Sequence, residues 1–198
     1  MPSFDYAQDD NFLMNLTLPL RSVFLALPLE GQPKWQFQAL VEELKPYAEI
    51  LRFQNPQSPH LTLMFWPSVG ELEYQGIVVQ SRKIAAIHAP FTMRVMGADT
   101  FGSRGEDRVL FLTLGFSDEL ARVKKSCPWS DGRPFTPHIT LARIGHPQRF
   151  NTVKKKVMKT LEGISIDIPV DRLRLFAEVN GVKQTALQDF VFPRSRDS

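Results

Sequence analysis

One five-residue phrase is written twice in this chain, as Pro59-His60-Leu61-Thr62-Leu63 and as Pro137-His138-Ile139-Thr140-Leu141. The two copies differ only at Leu61 and Ile139. Each opens a β-like run, Leu61 to Trp66 and Ile139 to Ile144. Side chains alternate along a strand, so His60 and Thr62 share one face while Leu61 and Leu63 share the other. His138 and Thr140 stand against Ile139 and Leu141 in the same way. Two such strands facing one another bury their aliphatics and present two imidazoles and two hydroxyls to a common cleft. A single His-x-Thr on a strand is an ordinary surface pair. Nothing in strand propensity asks for histidine twice, at matching places between a proline and a leucine.

The rest of the chain reads as strands and helices in alternation. Arg21 to Leu27 is a strand between Pro19 and Pro28. From Pro33 the spacing turns helical, with Phe37, Leu40, Val41 and Leu44 on one stripe, and Pro46 ends that helix near Lys45. Ile50 to Phe53 is a short strand. Glu71 to His88 has a helical pattern stopped by Pro90, and Phe91 to Val95 and Val109 to Leu114 are strands on either side of a turn-like Gly102–Asp107. Ser117 ahead of Asp118 and Glu119 is a good helix start, because its hydroxyl caps free amides and the acids suit the dipole. Asn151 to Leu161 is a basic helix, and Ile164, Ile166 and Ile168 alternate as a strand. Leu173 to Val179 and Gln184 to Phe192 flank Asn180-Gly181, a strong hairpin signal. The order predicts an α+β chain with one main domain over residues 20–193, an acidic extension over 1–19 and a tail over 194–198.

Composition narrows the class without naming it. The formal net charge of +3 is mildly basic and does not by itself imply nucleic-acid binding. Cys127 is the only cysteine, so there is no internal disulfide and no cysteine-built zinc site, which suits a reducing cytoplasm. No apolar run approaches the length of a membrane span. No His-Glu-x-x-His pattern or carboxylate cluster points to a metal.

Imidazole titrates near neutral pH, so one histidine can be neutral while a second is charged. A hydrolysis that takes a proton from water and gives one to a departing oxygen uses both forms. Hydroxyls placed beside them can donate to oxygens where negative charge gathers. Three further side chains are candidates for binding substrate. Trp66 has the parity of His60 and is placed to stack on a planar group at the groove rim. Phe135 has the odd parity and reaches the groove only if its loop turns. Arg143 falls opposite His138 by strict alternation, so only a bulge or the strand's end brings it inward. His88 and His146, near a helix end and in a Gly-His-Pro turn, read as structural or exposed.

At the doubled phrase the chain resembles the two-histidine phosphoesterase superfamily, and more closely its RNA 2′,3′-cyclic phosphodiesterases, also called 2′-5′ RNA ligases. Phe24-Leu25-Ala26-Leu27-Pro28 resembles the family's opening strand. His60 to Phe65 and Arg133 to Arg143 resemble its two catalytic strands. The likeness runs from about Arg21 to about Pro193. It implies two pseudo-symmetric lobes, each an antiparallel sheet with helices on the outer face, and an active groove between them. It implies hydrolysis of RNA or nucleoside 2′,3′-cyclic phosphate to the 2′-phosphate, with reversible 2′-5′ ligation as a second capacity. His60 would then be the proton donor and His138 the proton acceptor, with Thr62 and Thr140 beside them and Arg143 on phosphate. No cofactor, no metal and no membrane are expected. The partner is RNA with a cyclic phosphate end or a small cyclic nucleotide, and the protein is expected to be monomeric. Where the family has a small residue this chain has Trp66, which keeps two other readings open: a non-catalytic nucleotide-binding module, and a phosphodiesterase for another cyclic phosphate such as cyclic ADP-ribose phosphate.

Overall fold

A computed structural model describes residues 18–130, 132 and 134–194. Most of the expected N-terminal extension, nearly all of the tail, and Arg133 lie outside the described residues. The elements in order are β1 (Leu20–Pro28), α1 (Gln32–Leu44), β2 (Leu51–Phe53), β3 (His60–Val69), α2 (Glu71–Ala86), β4 (Phe91–Ser103), β5 (Glu106–Leu114), α3 (Asp118–Ser126), β6 (His138–Ile144), α4 (Pro147–Thr160), β7 (Ile166–Val170), β8 (Arg172–Val179) and β9 (Val182–Val191).

Local chemistry explains most of these boundaries. Pro33 sits in the first turn of α1, where its missing N–H costs nothing. Leu120 N–H donates to the Ser117 hydroxyl at 3.1 Å, the cap expected for α3. Asn180 and Gly181 turn between β8 and β9 with φ of 52° and 78°, the left-handed pair that a two-residue hairpin requires. Several boundaries differ from the sequence reading. Helix α4 begins at Pro147 rather than Asn151, since proline is at home in the first turn. Helix α2 ends at Ala86, two residues short of His88. Strands β4 and β5 continue through Gly102–Asp107 to a tight turn at Arg104 and Gly105.

All the strands join one antiparallel sheet in the order β7-β4-β5-β6-β3-β1-β8-β9, with β2 added beside β6. The sheet has two halves. β7, β4, β5 and β6 pack with α1 and α4, and β3, β1, β8 and β9 pack with α2. The halves meet where β3 and β6 touch, through the single register pair Leu61 and Ile139. The expected two lobes are therefore present, joined by the two strands that carry the repeated phrase. Leu61, Leu63, Ile139 and Leu141 are buried in the main core with residues from all four helices. The opposite face of β1 and β8 carries a separate small cluster, Phe24, Ala26 and Phe176. That second face is where the histidines lie.

Candidate active site

Antiparallel pairing at Leu61 and Ile139 sets the geometry. Extending that register by one residue places His60 across from Thr140 and His138 across from Thr62. Each imidazole thus has its own threonine two residues on and the other strand's threonine beside it. An approximate two-fold through the Leu61–Ile139 pair relates the two sets. Neither threonine hydroxyl is engaged by another protein group among the described residues.

The two histidines are held alike. Nδ1 of His60 meets the Ser58 carbonyl at 2.6 Å, and Nδ1 of His138 meets the Thr136 carbonyl at 2.7 Å. A carbonyl can only accept, so Nδ1 carries the hydrogen in both rings, and Nε2 is left for substrate. The prolines of the phrase help to aim these carbonyls. A residue before proline is driven to extended backbone, which turns the Ser58 and Thr136 carbonyls toward the motif strands.

Each imidazole also has an aromatic wall. Phe24 stacks on His60 with ring centres 4.6 Å apart, and Phe176 lies 5.4 Å away. Phe101 and Phe111 meet His138 edge-on at 5.2 and 5.5 Å. In both cases one ring comes from the neighbouring strand and the other from the next strand out. Behind Phe176, the Arg174 guanidinium lies 5.9 Å from the ring centre, held by Asp189 at 2.5 and 2.8 Å and by Glu30. The sequence reading missed these aromatic walls. Phe24 and Phe111 alternate with buried aliphatics on their strands, but only the sheet order shows which histidine each one meets.

The two rings differ in environment. His60 is 8% exposed, whereas His138 is half-buried. Burial pushes the His60 imidazole down to about 4; the Ser58 carbonyl opposes this, and a charge on His138 adds to it. His60 is therefore neutral at pH 7 in the free protein, with its open lone pair on Nε2.

A bulge in each motif strand sets the facing of the residues beyond the threonines. In β3, Thr62 pairs with Ala26 and Met64 with Leu25, so Leu63 is the extra residue. In β6, Thr140 pairs with Phe111 and Ala142 with Leu110, so Leu141 is extra. The backbone groups freed by the bulges find partners: Lys124 Nζ donates to the Leu63 carbonyl at 2.7 Å, and Gln54 N–H donates to the Leu141 carbonyl at 2.9 Å.

The bulges reverse the parity beyond them, which corrects the expectation for Trp66 and supplies the bulge on which the candidacy of Arg143 depends. Trp66 pairs with Val23, is 8% exposed and lies in the core, edge-on to Trp129 at 5.2 Å. It does not reach the groove. Phe65 takes that face instead, opposite Phe24 and half-exposed. In β6 the same reversal brings Arg143 to the face of Phe111, Thr140 and His138, as its pairing with Val109 shows. Phe65 and Arg143 are thus equivalent positions, each five residues after its histidine. Phe135 is not turned to the groove by its loop. It packs half-buried against the core beneath the Lys124 ammonium, 5.0 Å from the ring centre, because its loop keeps the odd parity.

Of the other histidines, His88 bonds the Ser126 hydroxyl at 2.8 Å and braces α2 against α3, and His146 stands at the N-cap position of α4 without a capping bond from its side chain. A concavity of about 660 Å³ beside His88, lined by Ile87, Phe91, Glu119 and Arg122 among others, includes none of the motif residues. No described helix is long and apolar enough to cross a membrane.

A curled antiparallel α+β sheet with two symmetry-related imidazoles on one face defines a two-histidine phosphoesterase fold. The family model of the 2′-5′ RNA ligase superfamily matches residues 32–181, well over half of the sequence, and the chain belongs to that superfamily. Among curated relatives, a Bacillus subtilis protein named RNA 2′,3′-cyclic phosphodiesterase is 28% identical over 129 residues, 61% of this chain and 69% of the relative. A Geobacillus stearothermophilus protein of the same name is 27% identical over 128 residues, 61% of this chain but 41% of that longer relative. The crystal structure of Escherichia coli LigT in apo form is similar in fold, with a TM-score of 0.64 at 20% identity, covering 90% of this chain and 100% of that one.

Proposed function

We propose that the protein is a phosphodiesterase that hydrolyses RNA or nucleoside 2′,3′-cyclic phosphate to the 2′-phosphate. The observation that carries this reading is the two-fold placement of His60 and His138, each with Nδ1 on a backbone carbonyl and Nε2 free. The names of the relatives support the same activity.

Attack on phosphorus proceeds in line, so the base that activates water and the acid that protonates the leaving oxygen belong on opposite sides of the phosphate. Two imidazoles related by a two-fold axis meet that demand. The water proton goes to Nε2 of one histidine, the new P–O bond forms, the P–O3′ bond breaks, and O3′ takes a proton from Nε2 of the other. Thr62 and Thr140 donate to the non-bridging oxygens, where negative charge gathers. By family resemblance His138 is the acceptor and His60 the donor. The low proton affinity of His60 in the free protein favours a second reading in which the roles are exchanged. In the first assignment the bound phosphate anion must supply the charge that keeps His60 protonated.

Every group in this scheme belongs to the chain, so the reaction is expected to need no metal or other cofactor. Ligation is the reverse of the same chemistry, and water favours hydrolysis. The test is turnover of a dinucleotide with a 2′,3′-cyclic phosphate end in excess chelator. Full activity is the expected outcome. No turnover of any cyclic phosphate, alongside micromolar binding of adenosine monophosphate, would instead identify a nucleotide-binding module. Turnover of cyclic ADP-ribose phosphate alone would redirect the substrate class.

A further inference from the structure

The groove face of the β7-to-β6 half can be read row by row from the strand registers. One row is Gly97, Thr113 and His138; the next is Asp99, Phe111 and Thr140. The third is Phe101, Val109 and Arg143, and β2 extends it to Arg52, which pairs directly with Arg143. Leu51 and Phe53, either side of Arg52, turn to the core side with Ile144 and Ala142. The third row therefore puts two arginines directly across from one another on the histidine face, in the row of Phe101, which is 41% exposed.

Like charges directly across an antiparallel pair repel one another. Elsewhere on the molecule Arg94, Arg108, Arg122, Arg149, Arg172 and Arg174 each hold a carboxylate. Arg52 and Arg143 hold none among the described residues, and unlike Arg21 and Arg104, which also hold none, they are paired across two strands. Asp99 is the acidic member of the rows above, and it lies two strands away from Arg143. A matched pair of cations on one face, without a protein counter-charge, suits a bound anion. Its position says which one. A strand advances about 3.3 Å per residue, so Arg143 lies on the order of 7–10 Å beyond Thr140, a step removed from the phosphate that the histidines would share.

We propose that Arg52 and Arg143 form a second phosphate subsite, one that takes the phosphodiester immediately 5′ of the cyclic phosphate, with Phe101 beside it as a stacking surface for a base. This rests on the phosphodiesterase reading and adds a preference for RNA ends over single nucleotides. Arginine suits the task because its planar fork can bind two phosphate oxygens at once.

The test compares three substrates: a mononucleoside 2′,3′-cyclic phosphate, a dinucleotide with the same end, and that dinucleotide with a neutral methylphosphonate at its internal linkage. In the wild type, kcat/KM for the charged dinucleotide should exceed both others by about tenfold or more. In Arg52→Gln and in Arg143→Gln the charged dinucleotide should lose most of that advantage, while the neutral one falls far less. Equal losses on all three substrates would place the arginines at the cyclic phosphate or in the fold, and would overturn the proposal. So would a preference that survives in the double variant. If no cyclic phosphate is turned over, the phosphodiesterase reading fails instead. Titration with the two dinucleotides carrying a terminal 2′-phosphate then decides the subsite: tighter binding of the charged one must appear in the wild type and vanish in the variants, and no difference in the wild type overturns it.

Discussion

Phe24 lies face to face with His60, ring centres 4.6 Å apart, and closes the buried side of the one imidazole that the fold keeps dry. The same histidine must exchange a proton in the reaction proposed. Its titration is therefore the most direct physical readout of the site.

His60 has a lowered proton affinity in the folded state, about 4 against 6.5 when unfolded. Between those values the unfolded chain binds the extra proton, so stability rises with pH through this window. The contribution is complete above about pH 6.5 and is lost as pH falls toward 4. It is worth on the order of 3 kcal/mol. Urea unfolding at pH 7 and pH 4.5 should show a larger acid-side loss in the wild type than in His60→Gln. Equal losses would mean that the ring takes up its proton without penalty.

The roles of the two histidines separate by leaving group. An aryl phosphodiester has a leaving oxygen that needs little protonation. With His60 as donor, His60→Ala should recover much of its lost rate on such a substrate, while His138→Ala should not. Rescue of His138→Ala alone exchanges the roles, in line with the low proton affinity of His60. Rescue of neither removes acid–base catalysis by these rings.

Thr62→Val and Thr140→Val keep shape but remove one donor each. Each is expected to lower kcat roughly ten- to a thousandfold with little change in melting temperature. Wild-type rates in both would show that the hydroxyls contribute nothing to the transition state.

Lys124 completes the β3 bulge by donating to the Leu63 carbonyl, with its ammonium 5.0 Å from the Phe135 ring centre. Lys124→Met keeps the stem and removes the donor, at a cost of about 1–2 kcal/mol. The melting temperature should fall by roughly 3–6 °C. An unchanged value would mean that the carbonyl is satisfied as well by water.

Trp66→Ala tests the parity correction. Removing a buried indole should cost about 3–5 kcal/mol. Protein that remains folded at low temperature should bind substrate with nearly the wild-type KM, because the side chain faces Trp129 and not the groove. A large rise in KM with unchanged stability would return Trp66 to the substrate site.

The repeated phrase was enough to place His60, Thr62, His138 and Thr140 on one face each, since a period of two is a local property of any strand. Proline, glycine and serine signals likewise set most element ends, because caps and tight turns are satisfied within a few residues. Tertiary pairing decided the rest. A bulge exists only relative to a partner strand, so nothing in Leu63 or Leu141 announces that they are extra. Yet those two residues send Trp66 to the core and bring Phe65 and Arg143 to the groove. In the same way, Arg52 became the neighbour of Arg143 only when β2 paired with β6, much further along the chain. Phe24 and Phe176 became the walls of His60 only when β1 was seated between β3 and β8. Which residues alternate is written along the chain; which of them meet depends on hydrogen bonds between strands far apart in sequence.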